Sequence, residues 1–235
     1  MSKSIEEVLA KRDDISNFLV HLTRDTENGT ARENLLSMLR DLEIKAFNHH
    51  CYFSPRLKKE DDVLQENFHV VCFTETPLDK IHHLLDISNR KVELKPYGLV
   101  FLKDRVKERR GNPVFYVYDE NRPLKRFLME KYFEFLDFYK SSGGLNDFHT
   151  LGAFVNIVKN GHDFHWEREW RVKGSFKFKL HEVFAVIAPE DDHDALRSEI
   201  QLEDIEYCLF LDPEWNMQTI IERLSIYMWD DLRHR

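Results

Sequence analysis

The run Trp166-Glu167-Arg168-Glu169-Trp170-Arg171 concentrates side chains able to do chemistry. In extended backbone, where alternate side chains share a face, it projects Glu167, Glu169 and Arg171 to one side and Trp166, Arg168, Trp170 and Val172 to the other. Two carboxylates one strand repeat apart beside a guanidinium suit acid–base work, one holding a substrate hydroxyl while the other handles a proton. Repulsion between them would raise one carboxyl, and Arg171 would oppose that shift. The same pattern also describes an exposed strand face with cross-strand ion pairs. A second candidate is His21-Leu22-Thr23-Arg24, where His21 and Thr23 share a strand face and could grip a ribose or another polyol. The alternative there is the polar end of a half-buried strand. In Phe73-Thr74-Glu75-Thr76-Pro77 a strand gives way directly to a helix. Thr76 reads as an N-cap, and Glu75 stands where the chain leaves the sheet, a common position for functional side chains. A favourable acid near the helix dipole is the other account of Glu75.

Metal chemistry is not expected, although the chain has 12 His. His49-His50-Cys51 and His82-His83 put neighbours on different faces, and His162 with His165 suits a metal only in a helix. None has zinc-finger or HExxH spacing. Asp191-Asp192-His193-Asp194 lacks the Gly and distal Glu of an EF-hand loop. No GxxxxGK[ST], GxGxxG or GxSxG run occurs, so P-loop hydrolases, Rossmann oxidoreductases and α/β-hydrolases lose their usual support.

The elements that must position these residues can be read from periodicity and caps. A capping box at Ser4-Ile5-Glu6-Glu7 opens a polar helix to about Asn17, and Phe18–Thr23 alternates as a strand. Thr30-Ala31-Arg32-Glu33 opens a helix with the apolar stripe Leu35, Leu36, Leu39 and Leu42. Ile44–Phe47 is a short strand or turn, and Asn48–Asn67 reads as a long loop. Phe68–Thr74 is a strand, followed by a helix burying Leu78, Ile81, Leu84 and Leu85. Tyr97–Leu102 and Pro113–Tyr118 are strands on either side of the basic segment Lys103–Arg110. Pro123–Tyr139 is a helix, Ser141-Ser142-Gly143-Gly144 a flexible joint, and Leu151–Val158 a short helix. Trp166–Val172, Val183–Ala188 and Tyr207–Leu211 are late strands, and Glu214–Asp230 is a final amphipathic helix. Helices and strands interleave without a βαβ rhythm, which predicts an α+β fold: one domain, with a mixed or antiparallel central sheet and flanking helices. Residues 1–189 would form the main domain carrying the site, and residues 190–235 an acidic strand and helix packed on it.

The 235 residues are 42% hydrophobic with 18 Phe, enough to bury a core and to exclude a disordered chain. No stretch is long enough to cross a bilayer, no apolar leader opens the chain, and Cys51, Cys72 and Cys208 form no CxxC pair. A cytoplasmic protein with free thiols and no membrane partner is expected. The formal charge of −8 is unevenly placed. Glu190–Arg235 holds 13 Asp and Glu against four Arg, a net of −9, whereas Met1–Pro189 holds 29 acids and 30 bases. The whole-chain charge therefore excludes no nucleic-acid substrate. The tail suits a basic protein surface, or acts as a mimic of nucleic acid. Lys103, Arg105, Lys107, Arg109 and Arg110 could instead meet nucleic acid directly or form a solvated face.

The ordered runs HLTR, VCFTETPL, YGLVFLKD, NPVFYVYD and EREWRV, from His21 to Val172, resemble the AbiGi family of bacterial abortive-infection proteins. That resemblance implies phage defence, in a toxin–antitoxin pair. A more distant resemblance is to ADP-ribosyltransferases of the PARP-like and DarT-like kind, which have an early His-x-Thr strand and a late strand with the catalytic Glu. It implies that His21 and Thr23 anchor NAD, used as substrate, with Arg171, Thr74 and Glu75 completing the NAD-binding set. It further implies that Glu169 holds the ribose 2′-hydroxyl and stabilises an oxocarbenium-like transition state, while Glu167 activates an acceptor, protein or nucleic acid. The middle strand departs from that pattern, with Phe73-Thr74-Glu75 where a Ser-Thr-Ser would stand. A non-catalytic antitoxin or sensor acting by protein–protein binding is the other function consistent with the sequence.

Overall fold

The computed structural model describes residues 15–87, 92–159, 165–200, 202, 205 and 208–233. In chain order its elements are β1 (Phe18–Leu22), α1 (Ala31–Asp41), β2 (Glu43–Ile44), α2 (Ser54–Leu57), α3 (Asp62–Glu66), β3 (Val70–Thr74), α4 (His82–Leu85), β4 (Gly98–Leu102), α5 (Lys103–Glu108), β5 (Asn112–Pro113), β6 (Phe115–Tyr118), α6 (Arg122–Ser142), α7 (Phe148–Gly152), β7 (Val155–Val158), β8 (Glu169–Lys173), β9 (Phe176–Lys177), β10 (Val183–Ile187), α8 (His193–Glu199), β11 (Leu209–Leu211) and α9 (Met217–Arg233). The fold is α+β with mostly antiparallel pairing. The chain gathers into two compact units, one of Met1–Glu43, Phe73–Val106 and Lys177–Arg235, the other of Ile44–Cys72 and Lys107–Phe176. The helix expected from Ser4 falls almost wholly outside the described residues.

In the first unit the strand order is β11-β10-β4-β1, with Phe73 and Thr74 at the end of β3 beside β1. β1 and β4 run antiparallel from Phe18 opposite Leu102 to Leu22 opposite Gly98. Gly98 is required there, because a Cβ would stand 2.3 Å from the His21 carbonyl oxygen. β4 is buried from Gly98 to Phe101, as expected of a central strand covered on both faces. Val20, Leu22, Val100, Ala185, Ile187, Leu209 and Leu211 form one apolar layer, closed by Ile81, Leu84 and Ile220. On α1 the expected capping box forms: the Thr30 hydroxyl accepts the Glu33 amide, and the Glu33 carboxylate accepts the Thr30 amide at 2.7 Å. Thr76 does not cap the next helix. Pro77 stands at the N-cap of a short 3-10 turn, Leu78–Lys80.

The second unit explains the surplus of Phe. Phe53 stacks on Tyr132 at 4.9 Å between ring centroids, and Phe68, Phe135 and Phe148 pack edgewise or tilted around them. Two short helices, α2 and α3, interrupt the polar stretch expected to be a loop, Asn48–Asn67, and the fully buried Phe53, Leu57 and Leu64 fasten it to this core. α6 spends its stripe Leu128, Tyr132, Phe135 and Leu136 on this core and stops at Gly143, which adopts the left-handed conformation at φ 68°. The helix expected over Leu151–Val158 is α7 followed by a strand, since Val155 and Ile157 favour the pleat and β7 pairs in parallel with β6. Pro113–Tyr118 splits into β5 and β6 at Val114, whose amide bonds Glu169 while that of Phe115 bonds Phe154.

Candidate functional site

Glu169 opens β8 and faces the same way as Arg171, as alternation demands. The Arg171 guanidinium grips its carboxylate with both edges, Nε to Oε1 at 2.8 Å and Nη2 to Oε2 at 3.0 Å. Tyr116, from β6, donates its hydroxyl to Oε2 at 2.9 Å, and the Cys72 thiol, from β3, also donates to this carboxylate. Arg171 is fully buried and gives Nη1 to the Ala153 carbonyl at 2.8 Å. The Glu169 side chain is 15% exposed. All of these groups belong to the second unit.

Burial alone would raise the Glu169 carboxyl, but the charge of Arg171 and the hydrogen bonds from Arg171, Cys72 and Tyr116 outweigh it and hold the group below its ordinary value. Burial, reinforced by the carboxylate charge, pushes both the Tyr116 hydroxyl and the Cys72 thiol up, so each keeps its proton as a donor. Burial works against the Arg171 charge, yet the neighbouring carboxylate raises it further. A carboxylate offers about four acceptor positions, and two guanidinium N–H groups, a phenol and a thiol match that number. Glu169 is an ionised carboxylate most of whose acceptor positions are engaged by the protein itself.

The other expected site residues fall in two places. Glu167 is not one strand repeat from Glu169 in extended backbone: it ends the 3-10 turn His165–Glu167, and Arg168, at φ 45°, turns the chain before β8 begins. The paired-carboxylate face read from the sequence is corrected to Glu169 and Arg171 alone, because a left-handed residue breaks the alternation. His162, considered with His165, lies outside the described residues. His21, Thr23, Thr74 and Glu75 belong to the first unit. The His21 ring meets Phe73 edgewise at 5.8 Å. The Thr23 hydroxyl lies 3.0 Å from the carbonyl oxygens of both Ala31 and Tyr97, tying the end of β1 to α1 and to the segment before β4. Thr74 Oγ1 accepts the Thr76 amide at 3.1 Å and lies 2.7 Å from Thr76 Oγ1. Glu75 is buried against the Lys103 ammonium at 3.0 Å. Polar groups of the first unit thus already engage Thr23, Thr74 and Glu75, three of the five residues expected around NAD, and Glu169 engages a fourth, Arg171. Sequence reasoning missed Tyr116, Cys72 and Ala153 as partners of the ion pair. Alternation in Phe115-Tyr116-Val117-Tyr118 gave no signal for Tyr116, because it shares its strand face with the exposed Tyr118.

Among the described residues no group of three His, Cys, Asp or Glu is placed to hold a metal, and no helix is long and apolar enough to cross a membrane. All three cysteines are free thiols. A family model described as "Putative abortive phage resistance protein AbiGi, antitoxin" matches residues 42–205, most of the chain. The chain belongs to the AbiGi family. The AbiGi match contains the whole Glu169 cluster, with Cys72, Tyr116, Ala153 and Arg171, together with Thr74 and Glu75. His21, Thr23 and α9 lie outside it. No curated protein and no solved structure matches this AbiGi chain.

Proposed function

We propose that this AbiGi chain serves abortive phage defence as a non-catalytic antitoxin that restrains a cognate toxin by protein–protein contact. The observation that carries the reading is the state of Glu169: its carboxylate is held by two guanidinium N–H groups, a phenol and a thiol. A catalytic carboxylate must receive its substrate, whereas this one is organised as an anchor between strands. The family description, which names an antitoxin, agrees with it. The charge of the C-terminal fifth supports a basic partner, since Asp191, Asp194, Glu214 and Glu222 are all exposed on the first unit.

The competing reading is an NAD-dependent ADP-ribosyltransferase or NAD glycohydrolase using Glu169, with Glu167 at the acceptor and His21, Thr23, Thr74, Glu75 and Arg171 around NAD. Its support is that Glu169 and Arg171 do share a face and that the carboxylate is not fully sealed. Rescue of toxin-expressing cells separates the two. Glu169→Gln, at equal folded protein, should rescue as well as wild type, and reversal of Asp191, Asp194, Glu214 and Glu222 to Lys should weaken rescue. Loss of rescue in Glu169→Gln alone, with the protein still folded, would overturn the binding reading. Charge is altered in place because Leu209, Leu211 and Ile220 lie in the core, so a chain ending at Pro189 would open it.

A further inference from the structure

α6 turns one stripe into the aromatic core, and along another line it keeps large apolar groups exposed. Phe127 and Phe138 are 51% and 44% exposed and sit three helical turns apart on that line. Between them stand Lys131 and Glu134, also open to solvent and paired with each other at 2.7 Å. The spacing from 127 to 131, 134 and 138 follows the four-three-four step of a coiled-coil seam. The order Phe, Lys, Glu, Phe reverses onto itself in chemistry. Turned about a point between Tyr132 and Phe133, Phe127 comes opposite Phe138 and Lys131 comes opposite Glu134.

We propose that this seam pairs α6 with α6 of a second copy of the chain, antiparallel about a twofold axis. A twofold contact requires that residue i meet j while j meets i, and the four seam residues satisfy that requirement in both apolar and charged layers. A parallel pairing would set Lys131 against Lys131 and Glu134 against Glu134, so the charges select the antiparallel one. Glu130 and Asp137 flank the seam, and Arg126 stands 3.7 Å from Glu130 to offset one of these acids. The seam lies on the second unit and uses none of the Glu169 cluster, so it stands whether or not the antitoxin reading does.

Disulfide trapping in the full chain tests the pairing and its register together. The double variant Phe127→Cys/Phe138→Cys should cross-link into a covalent dimer under mild oxidation, because each new thiol faces the other one of the second copy. Each single variant should form no covalent dimer, since its twin would lie three turns away, and within one chain the two positions are too far apart to bridge. Failure of the double variant to cross-link overturns the proposal, and so does equal cross-linking by either single variant. Sedimentation over a concentration series gives a second test. Lys131→Glu and Glu134→Lys should each weaken self-association about tenfold, and the two together should restore it. A double variant as weak as the singles, or wild type monomeric throughout the series, overturns it.

Discussion

Replacing Arg171 by Met removes the cation from a carboxylate that is mostly buried and leaves the Ala153 carbonyl without its donor. Breaking a buried pair from one side costs about 3–5 kcal/mol, because the remaining charge is uncompensated. For a chain of this length that corresponds to a fall in Tm of roughly 6–20 °C. Removing both charges with Glu169→Gln/Arg171→Met leaves no buried ion, and the double variant should recover at least about 1 kcal/mol of the summed single losses. The pH dependence follows from the lowered Glu169 carboxyl. A folded-state pKa below the unfolded one adds stability that is fully present above about pH 5 and is lost as the pH falls through the folded value. Urea denaturation followed by Trp fluorescence at pH 7 and at steps down to pH 3 measures both effects. Wild type should lose more stability on acidification than Glu169→Gln. Strictly additive losses in the double variant, or the same acid response in wild type and Glu169→Gln, would refute the picture of a coupled buried pair.

Other perturbations test neighbouring parts. Tyr116→Phe removes one donor to the carboxylate, so it should cost about 1–3 kcal/mol in denaturant unfolding and move the Glu169 carboxyl upward in an NMR titration. Lys103→Met removes a cation from beside the buried Glu75 and should destabilise the protein measurably in denaturant unfolding, while Lys103→Arg should cost much less. The half-buried Cys72 thiol is held well above its ordinary value by desolvation and the Glu169 charge, so a thiol reagent at pH 8 should modify it much more slowly in the native protein than in denaturant; equal rates would contradict the raised thiol.

Local signals carried over into structure where a few neighbouring residues decide the outcome. The Thr30–Glu33 box needs only one helical turn, and the alternation of β1 needs only its own side chains. Where partners come from elsewhere, reading failed. The Glu169–Arg171 pair meets Tyr116, Cys72 and Ala153 from three distant segments, and nothing in Trp166–Val172 specifies them. Arg168 shows the same limit: a positive φ at a non-glycine residue is imposed by its surroundings, and it removed Glu167 from the strand face that alternation assigned to it. In Asn48–Asn67 the polar composition hid the buried Cys51, Phe53, Leu57 and Leu64, because the burial of α2 and α3 depends on the aromatic side chains of α6.

Nicotinamide release from labelled NAD by the purified wild-type protein and by Glu169→Gln, with and without cell extract, tests most directly whether Glu169 anchors or catalyses. An anchoring carboxylate predicts no release above the protein-free control from either chain. Release by wild type that disappears in a folded Glu169→Gln variant would contradict the binding account and make Glu169 a catalytic residue.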